Sequence, residues 1–184
     1  YLFWRNEGLP CVPIAVNVSS VQFKRKGLVD YLVRMLAAYG LDSTAIQVEL
    51  TETALMDDID HAVKVLGALK ELGIRISLDD FGTGYSNLAR LRELPVDRVK
   101  IDRSLVRDIA TSAEARTICS AVVGLIQGLG MEVVIEGVET QAQMEMLRVI
   151  GCTLFQGYHL ARPTAEQAYL AQFAPQRPTV RDVG

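Results

Sequence analysis

The chain has 184 residues, 49% of them apolar and 22% charged, with a net charge of −3. That length suffices for one domain with a sizeable core, and the charge balance offers no basic patch for a nucleic-acid polymer. No apolar stretch approaches the ~20 residues of a membrane helix, so no membrane contact is expected of this domain.

In chain order, the opening YLFWRNEG reads as the end of a helix cut from something longer. VPIAVN then reads as a buried strand ending in Asn17, followed by a helix over about 28–38 that is apolar at Leu28, Leu32, Met35 and Leu36 and closed by Gly40. IQVELTE is a second strand, carrying Glu49, and a helix over 58–72 (Val63, Leu66, Leu69, Leu72) stops at Gly73. IRISLDD ends in Asp79 and Asp80, and DRVKID carries Lys100. A helix over 114–129 stops at Gly130, EVVIEG ends in Glu136, a helix over 140–150 stops at Gly151, and TLFQG ends in Gln156. Glycine after each helix is the left-handed cap that precedes a new strand. The strands read as near-continuous apolar runs, as when both faces of a parallel sheet are buried. Residues 1–173 form the expected domain, and the proline-rich APQRPTVRDVG (174–184) reads as a tail or linker.

The marked residues are 32, 30, 21, 36 and 20 positions apart, each room for a helix and two turns. Strand, polar residue, helix, strand is how a (β/α) barrel builds a site at the C-terminal ends of its strands. Six strands fall short of the eight of a closed barrel. The sheet is therefore either open and doubly wound or a barrel lacking its first part, and the opening half-helix favours the latter.

Oxygen donors from Asn17, Glu49, Asp79, Asp80 and Glu136 suit Mg²⁺ or Mn²⁺, and no His or Cys cluster is present for zinc. So many carboxylates fit two ions better than one, the clamp for in-line phosphodiester hydrolysis, with Lys100 holding a water or offsetting phosphate charge. Asp79 and Asp80 are adjacent, so both reach one site only if the backbone turns there or two ions are bound. In DDFGTGYSN the DFG lacks the partners of a kinase and the glycines complete no dinucleotide fingerprint. The segment reads as a glycine turn or as a mobile loop beside the site. Cys11, Cys119 and Cys152 lack CxxC spacing and read as reduced thiols in the cytoplasm, a setting that allows membrane tethering of the full-length protein. His61 and His159 read as solvent-facing or packing residues, Trp4, Tyr31 and Phe155 as core, and Lys64, Lys70 and Glu71 as a solvated helix face.

NVSSVQF (17–23), VELTET (48–53), DDFGTGYSNLARLRELPVDRVKIDRS (79–104), IEGVET (135–140) and QGYHLARP (156–163) together resemble the EAL family of cyclic di-GMP phosphodiesterases. The resemblance implies a TIM-like barrel with one antiparallel strand, about six of its eight strands lying in this chain. It implies bacterial second-messenger signalling by metal-dependent opening of cyclic di-GMP to linear pGpG, with two Mg²⁺ or Mn²⁺ ions. Asn17, Glu49, Asp79, Asp80 and Glu136 then look like metal ligands, and Lys100, Glu136 and Asp80 like the catalytic set, with Lys100 on the water. Gln156 and Glu139 look like supporting pocket groups, although Glu139 also suits a first-turn helix acid. Glu52 resembles the glutamate that fixes the loop of Phe81, Gly82, Thr83 and Gly84 and couples it to homodimerisation. A guanine-stacking aromatic is left open among Phe81, Tyr85 and Tyr158. Sensory or GGDEF-type domains are the expected neighbours.

The Glu-Ala-Leu motif that names the family, with its metal-binding glutamate, is absent upstream of Asn17, as is a substrate-contacting arginine. The chain is expected to be a fragment of an active parent longer by roughly 60–70 residues, two βα units of ~30 each. The alternative is a naturally shortened, catalytically inactive cyclic di-GMP receptor. A (β/α) scaffold for other metal chemistry, such as an enolising lyase, is the third reading.

Overall fold

The computed structural model describes residues 1–56, 58–83 and 88–171. Six strands form one sheet in chain order: β1 (Ile14–Asn17), β2 (Ile46–Thr51), β3 (Arg75–Phe81), β4 (Arg98–Ile101), β5 (Glu132–Ile135) and β6 (Leu154–Phe155). Every neighbouring pair is parallel. The result is a partial TIM-like (β/α) barrel, and the antiparallel strand implied by the resemblance is not among these six.

The helices are α1 (Leu2–Asn6), α2 (Ser20–Lys24), α3 (Leu28–Tyr39), α4 (Glu52–Met56), α5 (Ile59–Glu71), α6 (Leu88–Leu91), α7 (Arg103–Val106), α8 (Ala113–Gly128), α9 (Gln141–Ile150) and α10 (Glu166–Ala171). The four long ones, α3, α5, α8 and α9, match the helices expected from the sequence to within a residue at each end. Side chains fix the starts of three of them. Asp58 accepts from the His61 amide, Ser112 accepts from the Ala115 amide, and Thr140 and Gln143 form a reciprocal capping box on α9. Their ends carry the expected glycines: Gly40, Gly73, Gly130 and Gly151 have φ of 58°, 80°, 81° and 101°.

The strands are not apolar on both faces, contrary to expectation. Val48, Leu50, Ile76, Leu78, Val99, Ile101, Val133 and Ile135 point outward and build the core with Leu66, Leu69, Cys119, Ile126 and Leu147 of the helices. The alternate residues Gln47, Glu49, Ser77, Asp79, Arg98, Lys100, Glu132 and Glu136 share the inner face, where they bond to one another. Most barrels fill this interior with branched apolar side chains. The period-two alternation escapes notice in the sequence because the strands are only two to seven residues long and their polar residues read as strand ends.

Three further expectations change. Tyr31 is 53% exposed rather than core, because it lies on the outer side of α3, a helix with no buried residue. Trp4 is half-buried, its ring stacked on Tyr169 at 5.1 Å and its Nε1 donating to Glu166 at 2.9 Å, so it ties α1 to α10. Phe155 is half-buried under the Arg148 guanidinium. Lys70 is exposed but pairs with Asp97, whose other oxygen accepts from the Ile76 amide. His61 packs edge-on against Phe23 at 5.7 Å, and the exposed His159 ring meets Gln141 at 3.0 Å. The tail at 174–184, together with Gly84 and Tyr85, lies outside the described residues.

Candidate functional site

Adjacent strand residues normally face opposite sides of a sheet, yet both Asp79 and Asp80 reach the inner side. The pairing of β3 with β4 shifts register between Leu78 and Phe81, and Asp80 takes a left-handed φ of 58°. Thr83 closes this turn, its amide and Oγ1 donating to the Asp80 carbonyl at 3.3 and 3.0 Å. Aspartate tolerates that conformation better than most residues. One oxygen from each of Asp79, Asp80 and Glu136 thereby lies within 4.8 Å of the others, a grouping that could hold a metal ion.

Lys100 stands in the middle. Its Nζ lies 2.8 Å from Glu136, 3.0 Å from Asp79 and 3.1 Å from Glu49. Burial by itself would lower the lysine's pKa, but hydrogen bonds to Glu136, Asp79 and Glu49 outweigh it and push the pKa up. One ammonium does not neutralise the group. Burial, with the charges of Asp79 and Glu49, holds the Glu136 carboxyl above its usual range in spite of Lys100. Burial, Asp79 and Asp102 do the same to Asp80. Four carboxylates and one ammonium leave three excess negative charges when all are ionised, the electrostatic setting of a cation site.

Beside this cluster opens a cavity of about 480 Å³ lined by Asp102, Arg103, Glu136, Glu139, Gln156, Tyr158 and Arg162. Two glycines shape it through close approach. A Cβ on Gly137, whose φ is 65°, would run into Arg103, and one on Gly157 would run into the backbone of Val138. The Arg162 guanidinium lies 4.7 Å from the centre of the exposed Tyr158 ring.

The structure thus brings Glu49, Asp79, Asp80, Lys100 and Glu136 together and sets Gln156 and Glu139 in the adjoining cavity. Glu139 precedes the N-cap Thr140 and sits 3.9 Å from Arg103, so it is not a first-turn acid of α9. Asn17 is exposed at the end of β1, paired in register with Glu49. Glu52 is buried as the first residue of α4. Phe81 is the last residue of β3 and part of the core, so it is neither a loop residue nor free to stack on a base. Gly82 and Thr83 follow it, and Gly82 faces Leu105 closely enough to exclude a Cβ. Asp102, Arg103 and Arg162 also line the cavity; the sequence assigns them no role, although KIDRS and LARP contain them.

A family model, EAL domain, matches residues 3–163. The chain belongs to the EAL domain family. It is 40% identical over 171 residues to the bifunctional diguanylate cyclase/cyclic di-GMP phosphodiesterase MucR of Pseudomonas aeruginosa, covering 93% of this chain and 25% of that protein. The solved MucR phosphodiesterase in complex with c-di-GMP superposes with a TM-score of 0.84 at 40% identity, covering 91% of this chain and 68% of that one. The Klebsiella pneumoniae BlrP1 manganese/cy-diGMP complex gives a TM-score of 0.75 at 36% identity, covering 84% and 40%. The EAL chain spans about a fifth to a quarter of the length of the curated relatives it matches. Among its described residues no helix is long and apolar enough to cross a membrane.

Proposed function

We propose that this EAL domain is the catalytic part of a phosphodiesterase that hydrolyses cyclic di-GMP to linear pGpG with Mg²⁺ or Mn²⁺. The observation that carries the reading is the Lys100 ammonium ringed by Glu49, Asp79 and Glu136 beside a cavity large enough for part of a dinucleotide. Relatives named as cyclic di-GMP phosphodiesterases, and one solved with manganese and the cyclic dinucleotide, support it.

The donor set is all oxygen and strongly anionic, which fits hard divalent ions. Asp79, Asp80 and Glu136, with Glu49 and Asn17, would hold a pair of them. Such ions offset the charge of a phosphodiester and acidify a water molecule. Lys100, with one of its three N–H groups turned from a carboxylate to the attacking water, donates a hydrogen bond to it and orients it. Water oxygen bonds to phosphorus, one P–O3′ bond breaks, and the released 3′ oxygen takes up a proton. Arg103 and Arg162 offer guanidinium groups to the remaining phosphate charge. Tyr158 supplies the aromatic face for a guanine, and Gln156 an amide for its polar edge. Glu52, at the junction of β2 and α4, anchors the loop after Asp80 and links the site to a homodimer. Sensory or GGDEF-type domains in the full-length protein supply its input, and its location is cytoplasmic.

The test is incubation of the full-length protein with cyclic di-GMP and Mg²⁺, Mn²⁺ or a chelator, with products separated chromatographically. Metal-dependent pGpG is expected, and Asp79→Asn should leave less than about a tenth of the activity, a loss above ~1.4 kcal/mol. Tight nucleotide binding without product would instead mark a receptor, and neither binding nor product would overturn the reading.

A further inference from the structure

We infer that Gln47 is a positioning residue for the metal site: its side-chain amide, oriented by Arg98, fixes Glu49 from below. This rests on Glu49 being a metal ligand, as proposed above.

Gln47 and Glu49 are two residues apart on β2 and so share the inner face. The Gln47 Nε2 donates to Ser77 Oγ at 2.7 Å and lies 3.4 Å from Glu49 Oε1. Its Oε1 accepts from Arg98 Nη1 at 3.3 Å. The guanidinium in turn holds Glu132, with Nη2 and Nε donating to one oxygen at 2.7 and 3.1 Å. A line of polar side chains therefore runs through the barrel interior from Glu132 and Arg98, at the start of their strands, to Glu49 at the site.

The chemistry of the groups fixes its direction. Arginine has only donors, so the amide oxygen of Gln47 must face it. Both Nε2 hydrogens then point the other way, one for Ser77 and one for Glu49. Glu49 is consequently held by a donor at each oxygen: Gln47 at Oε1 and Lys100 at Oε2. Gln47 is 8% exposed and Ser77 fully buried, so water does not easily replace the missing donor. Hydrogen bonds of this kind to ligating side chains commonly govern metal affinity. Gln47 does not line the cavity, and its hydrogen bond toward the site goes to Glu49, so its effect passes through Glu49.

The experiment measures Mn²⁺ binding to the metal-free full-length protein by calorimetry, for the wild type, Gln47→Leu and Arg98→Met, with thermal melting as the control for folding. Gln47→Leu should weaken Mn²⁺ about 10–100-fold, and Arg98→Met, which frees the amide to flip, should weaken it less. The Arg98→Met/Gln47→Leu pair should lose no more than Gln47→Leu alone. Were Gln47→Leu not to fold, Arg98→Met alone decides, because a merely structural arginine would leave Mn²⁺ affinity unchanged. Wild-type affinity in folded variants overturns the positioning role and leaves the metal site standing. A wild type that binds no Mn²⁺ overturns both.

Discussion

The Lys100 ammonium lies 2.8 Å from a carboxylate oxygen of Glu136, and that single pair joins β4 to the end of β5 at the centre of the site. Lys100 is the basic side chain that meets Glu49, Asp79 and Glu136, with Arg98 occupied by Glu132 and Gln47 farther down the inner face. Lys100 holds the anionic cluster together, and in the proposed reaction it would remain as a donor once cations are bound.

Replacing it separates these roles. Lys100→Met should destabilise the metal-free protein by about 3–5 kcal/mol, as when one partner of a buried pair is removed. Saturating Mn²⁺ should recover part of the loss, about 2.7 kcal/mol at a hundred times its Kd. The kcat for cyclic di-GMP should fall strongly while KM stays within a few-fold. Calorimetry with and without Mn²⁺, alongside steady-state kinetics, checks all three, and an unchanged kcat with raised KM would make Lys100 a phosphate-binding group.

The raised carboxyls predict an inverted pH response. Glu136 binds its proton more tightly in the folded chain than at its ordinary value of 4.5, and Asp80 more tightly than at 3.8. Stability from these groups is therefore lost as pH rises from the ordinary values through the raised ones, and regained on acidification. The Lys100 contribution is fully present below 10.5 and is lost only in strong alkali. Metal-free protein should thus melt higher near pH 5 than at pH 7.5, and Glu136→Gln should reduce the difference. Mn²⁺ competes with the same protons, so its affinity should fall as the pH is lowered from 7.5 to 5. Melting curves in chelator, and Mn²⁺ titrations at both pH values, test this.

Asp80 carries a conformational demand besides its charge. Asp80→Asn and Asp80→Gly suit φ 58° and should fold like the wild type while losing metal and activity. Asp80→Val should add a destabilisation of about 1–3 kcal/mol, because a β-branched residue is strained there. Equal melting temperatures for the Val and Asn variants would show that the left-handed turn is not kept.

Gly157→Ala tests the cavity wall. The added methyl meets the backbone of Val138, which is bonded at its amide to Gln156 and at its carbonyl to His159 and cannot yield cheaply. A loss of about 1–3 kcal/mol is expected, with weaker cyclic di-GMP binding as Gln156 moves. A fluorescent nucleotide titration against the wild type measures it.

The helices and the strand order are legible in the sequence because they are written locally, in a 3.6-residue apolar period, capping side chains and terminal glycines. Glu49, Asp79, Lys100 and Glu136 are legible for a related reason, since a polar residue closing an apolar run stands out against its neighbours and recurs here strand after strand. Gln47, Ser77 and Arg98 are not legible, because they sit at strand starts and middles. Each lies two residues before a site residue and so shares its face, but only the register, with Ser77 beside Arg98, shows that they meet across strands. The turn at Asp80 is foreseeable as a need, but its solution, a register shift with a left-handed aspartate, depends on β4 being alongside.

Along β2 to β5 the outward residues build the core and the inward ones the site, so each strand carries two interleaved texts. A deep mutational scan scoring abundance and activity separately should give two patterns of period two, displaced by one residue. Abundance should collapse at Val48, Leu50, Ile76, Leu78, Val99 and Ile101 and activity at Glu49 and Asp79, while Lys100, a buried partner of three acids, should lower both. A fold arranged in this way can vary its chemistry at the inward positions with the core left intact, provided the charge balance around Lys100 is kept.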